Sequence, residues 1–138
     1  MTTDSGAPLR VATAHLVSGG APYAQTITTG HHQIVADEPV SRGGADAGPA
    51  PYNLLLSALA ACTSITLRMY ADRKGWTLGT VRVDLVMVRD GEIERIERTI
   101  ELEPSVTAEQ RTRLGEIAEK TPVTKTLRRG TEIATVIK

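Results

Sequence analysis

The sequence has no phenylalanine, one tryptophan (Trp76), three tyrosines (Tyr23, Tyr52, Tyr70) and one cysteine, Cys62, among 138 residues. With so few rings, the core must be built from Leu, Ile, Val, Ala and Met. A stacking platform for single-stranded nucleic acid needs several exposed aromatics, and too few are present. One cysteine closes no intrachain disulfide, which excludes a disulfide-stapled secreted fold. Three histidines (His15, His31, His32) and one thiol offer little from which to build a zinc site, so no metal or other cofactor is expected. Sixteen basic and sixteen acidic side chains cancel, which removes the electrostatic case for nucleic acid or an anionic membrane as partner. The first ten residues, MTTDSGAPLR, carry no apolar targeting core, and a cytoplasmic location is the expectation.

What is present reads as one α+β domain over residues 1–138. Leu9 to Val17, Ala24 to Thr29 and Gln33 to Ala36 have strand length and are separated by glycines. The run from Pro39 to Pro51 is loop. From Tyr52 to Lys74 no Gly or Pro intervenes, with Pro51 suited to a helix start and Gly75 to its end. This predicts a helix of about 23 residues, roughly 34 Å long. Leu55, Leu59, Cys62, Thr66 and Met69 form one stripe on it, and Leu54, Ala58, Ala61 and Ile65 the next. Arg68 and Asp72 interrupt the apolar run, so its length argues against a membrane span. Val81, Val83, Leu85 and Met87 alternate with polar residues up to an Asp90-Gly91 turn, and Ile96, Ile100 and Leu102 return on a partner strand. Thr107 and Gln110 match a capping box before a short helix through Leu114, Ile117 and Ala118. A turn or short helix through Leu127 and a last strand, Glu132 to Ile137, end the chain. So small a domain cannot cover so apolar a helix alone, which predicts a homodimer.

Cys62 is the one candidate nucleophile or redox group. Free cysteines more often serve as small core hydrophobes, and the apolar neighbours on its stripe suit that role. It sits beyond the reach of the helix N-terminal dipole, so an activated thiolate needs a cation brought by folding. Arg10, Arg42 and Arg68 are the candidates. Thr63, Ser64 and Thr66 are placed either to bond the sulfur or to bond back to helix carbonyls. His31 and His32, if both lie in a strand, point to opposite faces. Asp37-Glu38 reads as a surface pair at a turn.

Residues 36 to 78, ADEPVSRGGADAGPAPYNLLLSALAACTSITLRMYADRKGWTL, resemble the osmotically inducible protein C (OsmC) family, which includes the organic hydroperoxide resistance proteins. The shared features are a Gly-Gly-x-x-x-Gly-Pro-x-Pro loop, a Leu-rich helix and Ala-Ala-Cys within it. A second resemblance lies at EIAEKTPVTKTL, residues 116 to 127, where the family has a Cys-Pro-Val element. The resemblance implies antiparallel sheets around a long central helix, in an intertwined homodimer with its sites at the interface. It also implies peroxide chemistry: a helix thiolate attacks a hydroperoxide and becomes a sulfenic acid. A second cysteine then condenses with it, and an external dithiol reduces the disulfide.

Under that resemblance Cys62 matches the peroxidatic cysteine, and Leu55, Leu59, Thr66 and Met69 are candidates for the pocket. The resolving cysteine is replaced by Thr121, whose hydroxyl forms no disulfide. The arginine that stabilises the thiolate is replaced by Ala21, after Gly19-Gly20. The glutamate that orients it is replaced by Tyr52 or Asn53. Three readings follow. Cys62 is a one-cysteine hydroperoxide reductase recycled by an external thiol. Alternatively, the chain is a non-catalytic member that binds an apolar small molecule at the dimer interface. In the third, Cys62 is a redox sensor. Whether the chain is an enzyme is open at this point.

Overall fold

Three short antiparallel strands open the chain in the computed structural model, which describes residues 6–138. Strand β1 (His15–Leu16) pairs with β2 (Gln25–Thr29), and β2 with β3 (His32–Ala36), in the register Gln25↔Ala36 to Thr29↔His32. The strand expected from Leu9 to Val17 shrinks to two residues. Its apolar alternation is loose, and Leu9 and Val11 are exposed rather than laid on a sheet. His31 falls in the turn rather than in a strand. Both imidazoles are therefore exposed, with ring centroids 4.1 Å apart, instead of on opposite faces.

The loop after β3 is organised by a residue whose sequence context suggests only a surface pair. Asp37 is buried. Its carboxylate accepts from the backbone N–H of Glu38 at 2.7 Å and from those of Ala45 and Ala47 at 3.1 Å, while its own N–H donates to Pro49 O. The glycines of this loop allow the closure. A Cβ on Gly44 would collide with Glu38 O, and one on Gly48 with Val35 O. A 3-10 turn at Val40–Arg42 fills the rest.

The described chain divides into two compact units, the first ending at Leu54 and the second running Leu55–Lys138. Helix α1 spans Pro51–Lys74, close to its predicted bounds. It ends in a Schellman motif: Gly75, at φ 71°, donates to Asp72 O, and Trp76 N–H donates to Ala71 O at 2.8 Å. Trp76 then packs edge-on against Tyr70, with centroids 5.6 Å apart, as the hydrophobic contact of that cap. The stripe that α1 buries is Leu59, Thr63, Leu67 and Ala71. Cys62 and Thr66 lie on its half-buried shoulder, and Met69 and Ile65 are exposed. Length does not exclude a membrane span as expected. By length and composition α1 is sufficient to cross one, and only 22% of its most apolar stretch is buried.

Strands β4 (Val81–Asp90) and β5 (Ile93–Leu102) form the second sheet, an antiparallel hairpin in the register Val83↔Ile100. The turn is Gly91-Glu92, one residue later than expected, because Asp90 still pairs with Ile93. Helix α2 (Ala108–Ala118) begins with the predicted capping box, its Thr107–Gln110 bonds being 3.0 and 3.1 Å long. Such a cap contributes about 1 kcal/mol. Helix α3 (Pro122–Arg129) has Pro122 at its start and Thr121 as its cap. The core of this unit joins Leu67 and Ala71 of α1 to Leu78, Val106 and to Leu114 and Ala118 of α2, with Val81, Ile100 and Leu102 packed against them. The last strand, expected from Glu132 to Ile137, does not form. Among the described residues no strand pairs with it, and Ile133, Val136 and Ile137 are each more than four-fifths exposed. The architecture is α+β, as expected.

Asp37 gives a pH-dependent test. The backbone N–H of Ala47 contributes most to holding its carboxyl below the ordinary value of 3.8; burial opposes it, and the N–H groups of Glu38 and Ala45 add to it. A carboxyl lowered by folding stabilises the fold above its unfolded value, and that stabilisation is lost as pH falls through the folded value. Asp37→Asn is therefore expected to lower the melting temperature at neutral pH and to flatten the loss of stability below pH 3.8. Equal melting curves for both proteins at pH 7 and pH 3 would contradict the clamp.

Candidate functional site

The period of two along β5 places Arg98 on the same face as Ile96, Ile100 and Leu102, opposite Leu85 of β4. Its side chain is 12% exposed. A charge so enclosed requires acceptors around it, and the three helices supply them. Nη1 donates to Thr63 Oγ1 of α1 at 2.9 Å and to Thr124 Oγ1 of α3 at 3.0 Å. Nη2 donates to the Ala118 carbonyl at the end of α2, at 2.9 Å, with the Glu119 carboxylate 3.8 Å away. The hydroxyls are held in turn. Thr63 donates to Leu59 O at 2.7 Å, and Thr121 and Thr124 share a hydrogen bond of 2.6 Å. Thr121 also accepts from Thr124 N–H, which caps α3.

Beside this cluster lies a groove of about 490 Å³. Leu55 and Leu59 of α1, Met87 of β4, Ile96 of β5 and Leu127 of α3 give it an apolar lining. Its polar lining comprises Arg98, Thr124, Glu119, Arg128, Glu94 and Arg95. Glu119 pairs with Arg128 as well as Arg98. Glu94 pairs with Arg89 at 2.7 Å, and Arg95 with Glu97 at 3.1 Å. The arrangement is suited to holding a molecule with an apolar body and a small polar end.

The residues singled out in the sequence divide. Leu55 and Leu59 line the groove; Thr66 and Met69 do not. Cys62 is half-buried and also stands outside the groove lining, its sulfur 3.9 Å from Thr66 Oγ1. Thr121 is fully buried, acting as a helix cap. Ala21 is exposed in a bend before β2, and Tyr52 and Asn53 are exposed in the first turn of α1. Of the arginines considered for the thiol, Arg68 donates to Gly79 O at 2.9 Å. Arg42 ends the 3-10 turn of the first unit, and Arg10 is exposed there. Among the described residues no cluster of three or more His, Cys, Asp or Glu could hold a metal. The residue missed was Arg98, and its signal was present: an arginine at an inward position of an otherwise apolar strand face.

Residues 43–136 match the family model described as OsmC-like protein. No curated protein sequence matches the chain. Among solved structures, an OsmC-like protein from Mycoplasma pneumoniae superposes with a TM-score of 0.73 at 20% identity, covering 86% of this chain and 88% of that one. The organic hydroperoxide resistance protein OhrB of Bacillus subtilis gives 0.60 at 21% identity, covering 88% and 93%. A candidate organic hydroperoxide resistance protein from Vibrio cholerae, with captopril bound in one of its active sites, gives 0.63 at 16% identity, covering 90% and 88%. At such identities these likenesses concern the fold, and the family rests on the model match. With more than half its length matched, the chain belongs to the OsmC-like protein family.

Proposed function

We propose that the chain is a binding member of its family without hydroperoxide reductase activity, and that it holds an apolar small molecule in the groove of the second unit. The groove carries this reading. Its volume of about 490 Å³ lies within the range of small-molecule pockets, ~300–1,000 Å³, and five apolar side chains line it. The captopril bound to the Vibrio cholerae relative supports occupancy of this fold by compact organic molecules. The polar groups near α1 support it too. Thr121 is committed to capping α3, and the Nη donors of Arg98 are committed to Thr63, Thr124 and Ala118 rather than to the sulfur.

The partial exposure of Cys62 favours a second reading. There the thiolate attacks a hydroperoxide, forms a sulfenic acid and releases the alcohol; an external thiol restores it, or the oxidised state serves as a signal. We also propose that two copies pair through α1. Ala58, Ala61, Ile65 and Met69 form one exposed stripe, with Ile65 53% and Met69 56% exposed. A second copy is the natural cover for such a face, at the interface where the family's sites are expected. A cytoplasmic protein with a free thiol fits this reading.

Three outcomes are expected. N-Phenylnaphthylamine, a neutral apolar fluorophore, should bind the purified protein, and Leu55→Asp should weaken it by about tenfold, the loss of one buried leucine contact. Consumption of cumene hydroperoxide with dithiothreitol should run at the same rate for wild type and Cys62→Ser. Multiple turnovers that vanish in the mutant would instead establish a one-cysteine peroxidase. In sedimentation velocity the wild type should be a dimer and Ile65→Asp a monomer; a monomeric wild type would remove the interface.

A further inference from the structure

The charges along the groove do not balance, and the imbalance specifies its ligand. Two of its charged residues are satisfied outside the apolar trough, Glu94 by Arg89 and Arg95 by Glu97. Elsewhere in its lining, two guanidiniums share one carboxylate: Arg98 and Arg128 both pair with Glu119. That triad carries one surplus positive charge beside Leu55, Leu59 and Leu127. Arg128 is 60% exposed and open to solvent, whereas Arg98 is 12% exposed and held by three helices. A guanidinium presents paired N–H donors whose geometry matches a carboxylate.

Resting on the binding reading above, we infer that the groove takes a monoanionic amphiphile, a medium-chain carboxylate. Its head group lies against Arg128 beside the Arg98–Glu119 pair, and its chain lies over Leu55, Leu59 and Leu127. The volume suits that class. At about 30 Å³ per water-sized group, 490 Å³ holds on the order of sixteen such groups, more than an eight-carbon acid needs. A cationic amphiphile meets the surplus charge unfavourably, and a neutral one gains nothing from it. No covalent step is involved, and Cys62 takes no part.

Octanoate and octanol share a chain and differ in the head group, so titration calorimetry of the full chain with each isolates the charge. Octanoate is expected to bind about fivefold tighter at pH 7, the upper range for a solvent-open ion pair. Arg128→Gln should erase that margin, Arg128→Lys should keep part of it, and Glu119→Gln should widen it. Circular dichroism establishes that each variant is folded. Equal affinities for acid and alcohol, or a margin that survives Arg128→Gln, would overturn the inference while leaving the binding reading intact. Failure of both ligands to bind would overturn the binding reading, and this inference with it.

Discussion

An enclosed guanidinium must be met by acceptors on its several sides, and this requirement ties the second unit together. Arg98 stands on the apolar face of a two-stranded hairpin that is too narrow to bury it alone. The acceptors come from Thr63 of α1, the last carbonyl of α2 and Thr124 of α3. Each helix is thereby docked at one defined position. The terminal carbonyls of α2, which have no partners within their own helix, gain a cation there. Apolar contacts alone would leave the short α3 free to slide. The arginine fixes where it begins, and so where the groove has its wall.

The same interaction accounts for the role of Thr121, which the sequence resemblance alone sets against the family's second cysteine. Thr121 is buried, caps α3 and bonds to the threonine that Arg98 engages. A thiol there would be a poorer acceptor for the Thr124 N–H than a hydroxyl, and the cap would weaken. The Thr121 hydroxyl thus belongs to a structural network that ties the start of α3 to Arg98. The groove lies beside that network, and the sulfur on the adjacent shoulder of α1 stands outside its lining.

Much of the fold was legible because its signals are local. The breaker-free run before Gly75, the Thr107–Gln110 box and the alternation from Val81 to Leu102 each act within a few residues. Segments needing a distant partner read less well. Leu9 to Val17 and Glu132 to Ile137 have strand character, yet a strand exists only where another is present to pair with it. Asp37 misled for a similar reason. Its carboxylate looks like a surface group in sequence, and only the folding back of Ala45 and Ala47 gives it a buried role. Of the residues that line the groove, Leu55 and Leu59 fall on a stripe that helix periodicity marks, and Arg98 was legible in principle from strand parity. The polar lining of the groove comes from β5, α3 and the end of α2, whereas Arg10, Arg42 and Arg68 all stand outside it.

The Schellman cap of α1 has a spectroscopic consequence. Trp76 is the sole indole, and it rests on Tyr70, whose hydroxyl accepts from Arg113 of α2 at 2.8 Å. Its emission therefore reports the joint where the end of α1 meets α2, and neither aromatic residue lines the groove. Separation of those helices would expose the ring and shift its spectrum, whereas a guest over Leu55 and Leu59 would not touch it. The molecule thus carries a built-in reporter of folding that is optically separate from its binding surface.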